Sequence, residues 1–225
     1  TAGTLTATYD NPSNNFCTMS PLDNSVTAQT NGTQNFTNGN TTVECTTTSG
    51  NGLTNGTMGM SSGKWYWEMN LQAIGGAYPT IGIGAGSSYN FFVANSGVGE
   101  QTYGYGYLSP GSTNSKANNG SYSAFGDSFT SGDVLSFALD MDNYKFYAAK
   151  NGVWQDSGDP TSGATGTGAM FTVNADQTYL PCNSGNSSVK FEYNFGNGYF
   201  GTTAVTSANA DDAGIGAMEY DVPAG

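Results

Sequence analysis

An all-β chain, folded as a two-sheet sandwich, is what this sequence predicts, and three observations predict it. Apolar residues alternate with a period of two along segment after segment, and helical periodicity is nearly absent. Asn-Gly steps begin at residues 31, 38, 51, 55, 119, 151 and 197, and this pair suits the positive φ angles of tight hairpin turns. Glycine supplies 33 of 225 residues in a chain that is 13% aromatic. With no Gly-X-Y period, that composition means many tight turns between strands rather than collagen or disorder. The length is ordinary for one sandwich domain.

Strands are expected at 41–46, 64–71, 80–85, 103–108, 121–125, 134–141, 144–149, 178–182 and 189–195. Residues 64–71 set Trp65, Trp67 and Met69 on one face and Tyr66 and Glu68 on the other, which concentrates large apolar area on a single side. Burying one such side chain is worth roughly 1.5–3 kcal/mol. Both tryptophans are therefore read as core, with a sugar-stacking platform as the alternative, and Lys64 as a solvated strand-end charge. In 103–108 three tyrosines, Tyr103, Tyr105 and Tyr107, share a face opposite Gly104 and Gly106, so something must approach the backbone closely there. Those tyrosines suit either framework or a binding surface. Leu135, Phe137, Leu139 and Met141 share one face of 134–141, opposite Ser136, Ala138 and Asp140. Asp142-Asn143 turns the chain into the next strand, and Asn151-Gly152 turns it again toward Trp154. Loops poor in apolar residues are expected at 86–102, 109–120 and 156–170, and residues 204–225 read as an irregular tail.

Charge narrows the function. The chain has five lysines, no arginine, no histidine and a net charge of −12. A phosphate backbone or an anionic membrane surface would meet repulsion, so nucleic acid is not an expected partner. No apolar run of about 18 residues exists to span a bilayer, so membrane insertion is not expected, and no secretory signal is visible. Cys17, Cys45 and Cys182 have no CxxC spacing and no histidine beside them, which argues against a zinc site. A Cys17–Cys45 disulfide is one reading of them and three buried thiols the other. Six Asn-x-Ser/Thr sequons are the chance product of a chain rich in Asn and Thr.

Catalytic constellations are thin. Without histidine there is no Ser-His or Cys-His nucleophile, and IGIGAGSS at 81–88 lies on a strand with no helix after it, so it is no phosphate loop. Glu68 and Glu192 are the carboxylates to weigh as a glycosidase pair, but the Glu-x-Asp-x-Glu succession that would set acids on one face is missing. Asp140, Asp142 and Asn143 have oxygen-ligand alternation for calcium, yet lack the glycine and terminal glutamate of a calcium loop. No cofactor and no metal is expected.

GKWYWEMNL at 63–71, IGIG at 81–84, YGYGYL at 103–108, SFTSGDVLSFALDMDNYKFYAAKNGVW at 128–154, YLPC at 179–182 and VKFEYNFG at 189–196 together resemble a SPRY domain. The likeness spans roughly residues 60–200. Flanks such as PSNNFCTMSPLDN at 12–24 and MEYDVPAG at 218–225 are similar to versions found in bacteriophage virion proteins. The resemblance implies a bent two-sheet antiparallel β-sandwich, a SPRY/concanavalin A-like jelly roll, that binds through loops at one end. It implies residues 1–58 as N-terminal strands and an extension packed on the sandwich, 59–200 as the SPRY-like sandwich, and 201–225 as the irregular tail. It further implies a non-enzymatic virion protein in a tail fibre, spike or capsid decoration, exposed on the exterior and homo-oligomeric. Its expected partners are other virion subunits and a host surface glycan or protein. A purely structural assembly module and a polysaccharide-degrading enzyme are the alternatives. From loop position, Tyr78, Tyr89, Asn90, Phe91, Phe92, Asn114, Asn118 and Asp156 are the ligand-binding candidates, through aromatic stacking and amide hydrogen bonds.

Overall fold

The computed structural model describes residues 15–22, 34–46, 51–75, 79–86, 97–109 and 114–224. Two antiparallel sheets carry the fold. The larger runs in the order β1 (Gln34–Thr37), β2 (Thr42–Cys45), β14 (Val189–Asn194), β4 (Lys64–Ala73), β9 (Val134–Asp140), β10 (Lys145–Lys150) and β11 (Val153–Trp154), and β12 (Phe171–Thr172) also pairs with β10. The smaller runs β3 (Gly52–Asn55), β13 (Tyr179–Gly185), β5 (Thr80–Ala85), β6 (Gly104–Leu108), β7 (Ser115–Asn118) and β8 (Ser121–Ala124). A short hairpin of β15 (Tyr199–Phe200) and β16 (Thr203–Ala204) follows. N-terminal strands thus complete both sheets, β1 and β2 through β14 and β3 through β13.

Asn-Gly chemistry makes two tight hairpins as expected, whereas the steps at 51 and 55 run into and out of β3 without a positive φ. Asn119 and Gly120 turn at φ 50° and 69° between β7 and β8, and Asn151 and Gly152 at 47° and 79° between β10 and β11. Both central residues of these two-residue loops sit in the left-handed region that matches strand twist.

Between the sheets the inner faces close into one aromatic and aliphatic core. Trp67 stacks on Phe137 at 5.5 Å and on Phe146 at 6.1 Å, three strands contributing one ring each, because register places Trp67 opposite Phe137. Tyr105 and Tyr107 of β6 point into the same core, meeting Tyr179 at 5.8 Å and Phe129 at 4.9 Å. The tyrosine row is therefore framework. A glycine behind it allows a close approach: a Cβ on Gly106 would lie 3.0 Å from the Val98 carbonyl oxygen.

Two expectations change, and one open alternative closes on the buried-thiol reading. Residues 115–118, read as loop, form β7, because in Ser-Lys-Ala-Asn only Ala117 is buried and no apolar alternation marks the strand. Polar composition likewise hid β1 and β3, although all four residues of β3 are buried. Cys17, Cys45 and Cys182 are all buried free thiols, so the disulfide reading fails; burial pushes the Cys45 thiol up to about 12.

Candidate functional site

The outer face of the larger sheet is built differently. Alternation along β4 turns Lys64, Tyr66, Glu68 and Asn70 outward, and the register sets Tyr66 beside Ala138 and Ala138 beside Tyr147. Tyr66 and Tyr147 each meet the Trp154 ring edge-on, at 6.5 and 6.4 Å. Over this face lies the C-terminal segment.

Glu68 holds that segment down. Its carboxylate is fully buried and accepts four hydrogen bonds. Two come from side chains, the Tyr66 hydroxyl at 2.9 Å and Asn194 Nδ2 at 3.1 Å. Two come from the tail backbone, the amides of Glu219 and Tyr220, each at 2.8 Å. Burial pushes the Glu68 carboxyl above its usual range, and these donors pull it part of the way back. Asn194 extends the clamp, its Nδ2 donating to the Ala217 carbonyl and its Oδ1 accepting from the amides of Gly196 and Gly198. The Tyr220 ring then rests on the Asn151-Gly152 turn, where a Cβ on Gly152 would come within 2.6 Å of it. A glycine there serves the turn and the tail together.

Where the tail bridges away from the sheet it leaves a cavity of about 450 Å³. Its floor is Tyr66, Ala138 and Tyr147, its sides Phe16, Trp65 and Phe195, and its roof Ile215, Met218 and residues 222–224. The charged groups at it are Lys64, Asp140, Asp211 and Asp212. Asp140 is committed to its own turn, accepting from the amides of Asp142 and Asn143 and from Asn143 Nδ2. Those bonds are the turn role expected of this stretch, with Asp140 rather than Asp142 as the acceptor. Asp211 Oδ1 caps the tail loop, accepting from the amides of Ala213 and Ile215 at 3.0 and 2.7 Å. A volume of this size falls in the range of preformed ligand pockets.

Trp65 corrects the sequence reading. It shares its face with Trp67, but it is 37% exposed against 2% for Trp67. Being one residue from the start of β4, it reaches past the end of the sheet, donates Nε1–H to the Ser62 carbonyl at 2.8 Å and lines the cavity instead of the core.

Of the loop residues expected to bind ligand, Tyr78, Tyr89, Asn90, Phe91 and Phe92 lie outside the described residues. Asn114 donates Nδ2–H to the Gly126 carbonyl, and Asp156 accepts from the Gly126 amide, so these two meet across one glycine. Asn118 bridges the carbonyls of Thr102 and Gly104, both at 2.9 Å. None of the three lines the cavity. The cavity residues were legible only as strand end and tail; the signal that marks them is an aromatic at the first inward position of a strand, with Gly63 just before it. Glu68 and Glu192 lie on neighbouring strands and neither lines the cavity. Glu192 instead pairs with Lys190 at 3.5 Å.

No family model matches the chain, and no curated protein matches it in sequence. Among solved structures, the SPRY domain of human HERC1 is similar, with a TM-score of 0.56 and 18% identity over 78% of this chain and 96% of that one. The fold is thus that of a SPRY-like, concanavalin-type β-sandwich.

Proposed function

We propose that the chain is a non-enzymatic binding module carried on the exterior of a bacteriophage virion, in a fibre, spike or capsid decoration, which recognises a host surface protein or glycan. The observation that carries recognition is the preformed, aromatic-sided cavity under the tail, in a sandwich whose candidate acids are spent on structure. The virion setting rests on the likeness of the flanking segments to phage proteins. A test uses antibodies against the purified chain on intact particles, together with binding of the chain to host cells and to a glycan array. Surface labelling with cell binding that Trp65→Ala weakens supports the reading. Labelling only after particle disruption, with cells and array both blank, sinks it.

An assembly role, binding other virion subunits or further copies of itself, has one observation in its favour. Strand β8 ends the smaller sheet, all four of its residues are exposed, and none is charged. Such an edge lacks the charges that block strand addition. Tyr122→Lys should dissociate any oligomer that forms there, read by sedimentation.

A further inference from the structure

Asn-Gly steps recur along the chain, and the fold treats them unequally. Such a step is prone to lose its side-chain amide, because glycine puts no side chain in the way when its own backbone nitrogen turns on the asparagine. The reaction needs a glycine amide free to leave its place and an asparagine side chain free to meet it. The step at 31 lies outside the described residues. Of the others, all but one are tied. Gly52 is buried in β3 and paired with Gly185. Asn55 is fully buried, and the Gly56 amide donates to the Pro181 carbonyl at 2.7 Å. The Gly120 amide donates to the Gly99 carbonyl and the Gly198 amide to Asn194 Oδ1, each at 3.0 Å. At 151 the asparagine itself is held, Nδ2 donating to Asp133 Oδ1 at 2.7 Å and Oδ1 accepting from the Val134 amide at 2.9 Å.

Asn38-Gly39 is the open step. Both residues are exposed, and nothing lies within 4 Å of the place a Cβ would take on Gly39. Asn38, Gly39 and Asn40 follow one another at φ 52°, 66° and 65°. Bonds within the turn grip its other groups, the Asn38 carbonyl accepting from the Thr41 hydroxyl at 2.8 Å and Asn38 Nδ2 donating to Thr42 Oγ1 at 3.0 Å. The Gly39 amide donates no hydrogen bond among the described residues. We infer that Asn38 is a site of spontaneous modification, converting to aspartate and isoaspartate in the folded protein ahead of the other described steps. The Gly39 nitrogen attacks Asn38 Cγ, the Cγ–Nδ2 bond breaks, and the proton of the attacking nitrogen leaves with Nδ2 as ammonia. Water then opens the succinimide at either carbonyl, one opening giving aspartate and the other isoaspartate, whose main chain runs through Cγ and is one carbon longer. Each product sets a negative charge on the β1–β2 turn and removes the donor to Thr42. The turn also anchors its neighbours, the Asn40 carbonyl accepting from the Met19 amide at 2.9 Å and the Thr41 carbonyl from the Tyr193 amide at 2.8 Å. Isoaspartate therefore loosens β1, the end strand of the larger sheet.

The test holds the full chain at mildly alkaline pH, where the attacking nitrogen gives up its proton more readily, in one folded sample and one sample unfolded in urea. Chymotrypsin, cutting after Phe36, and a glutamate-specific protease, cutting after Glu44, release Thr37–Glu44 with Asn38-Gly39 as its Asn-Gly step. Electron-transfer mass spectrometry then tells asparagine, aspartate and isoaspartate apart in each peptide. In the folded sample Asn38 should convert at least about tenfold faster than any other described step, the factor imposed by an opening free energy of about 1.4 kcal/mol at the tied sites. In urea that advantage should vanish. Gly39→Asn, a residue that tolerates a left-handed φ, should suppress the reaction at 38 while circular dichroism stays that of the native chain. Hydrogen exchange of the purified isoaspartate form should be faster at β1 and unchanged at β9. Conversion of any tied step as fast as Asn38 in the folded sample overturns the inference. So does an Asn38 that stays intact in the folded chain while the urea sample converts it.

Discussion

Trp67 and Glu68 are neighbours on β4, both are buried almost completely, and they close opposite faces of one sheet by opposite physics. On the inner face, stacked rings and aliphatic side chains remove apolar area from water, and the closure is closer to continuous because dispersion and hydrophobic burial have no direction to satisfy. On the outer face a charged group is buried by supplying it with four donors, which fixes the tail at points rather than along a surface. A covering held at points leaves gaps. The larger cavity lies on the side closed by directional bonds, and the side closed by packing leaves a smaller one, of about 140 Å³, beside Trp65 and Trp67.

The largest expected effect breaks the inner side. Trp67→Ala removes the largest ring of a mutually stacked trio, and core Trp→Ala changes cost about 3–5 kcal/mol, so urea unfolding should show a loss of that size with global cooperativity retained. Next comes the outer side. Glu68→Ala leaves the Tyr66, Asn194, Glu219 and Tyr220 donors without their acceptor, at about 1–3 kcal/mol for each that stays buried and unpaired. Because the tail can lift into water, the loss should be local. Hydrogen exchange should speed up at Glu219 and Tyr220 while the β4 and β9 amides stay protected. Uniform loss of protection across both sheets would show that the tail is part of the core and that the two faces are not separable.

Glu68 also carries a pH signature. Its native carboxyl titrates above the ordinary range, chiefly through burial, so the folded state binds its proton more tightly than the unfolded state does. Its contribution to stability is then fully present below the ordinary carboxylate range and is lost as pH rises through the higher native value. Glu68→Gln, neutral at every pH, should lack that loss. The stability difference between the native chain and the variant should shift against the native chain as pH rises across this window. A difference independent of pH would mean that the four donors hold the carboxylate at its ordinary value.

How much of this was legible in the sequence follows the same division. Period-two alternation marked the strands whose inner faces are apolar, 134–141 and 64–71 among them, because hydrophobic burial writes itself into residue type. Asn-Gly pairs marked the β7–β8 and β10–β11 turns for an equally local reason. Strands β1, β3 and β7 stayed hidden because their members are polar and hold their places through backbone pairing, which leaves little trace in composition. The cavity was not legible at all. It depends on Glu68 meeting amides 151 and 152 residues further along the chain, and a contact at that separation between a common carboxylate and backbone has no local motif. Trp65 was misplaced because alternation assigns a face and says nothing about where the sheet ends.

That misplacement supplies the smallest and most selective prediction. Trp65 sits on the same face as Trp67 but beyond the edge of the core, so its removal should separate binding from stability. Full burial of such a side chain is worth roughly 1.5–3 kcal/mol, and at 37% exposure Trp65→Ala should lose about 1 kcal/mol. The Trp67 stack should be untouched, which near-ultraviolet circular dichroism of the remaining tryptophans can check. What should collapse is any binding that uses the cavity, since the side wall on which a flat ligand group would rest is gone. A stability loss as large as that of Trp67→Ala would place Trp65 back in the core and remove the cavity's claim to be a preformed site. Wild-type binding by a stable Trp65→Ala protein would put recognition on other loops, with Asn114, Asn118 and Asp156 the described candidates to examine next.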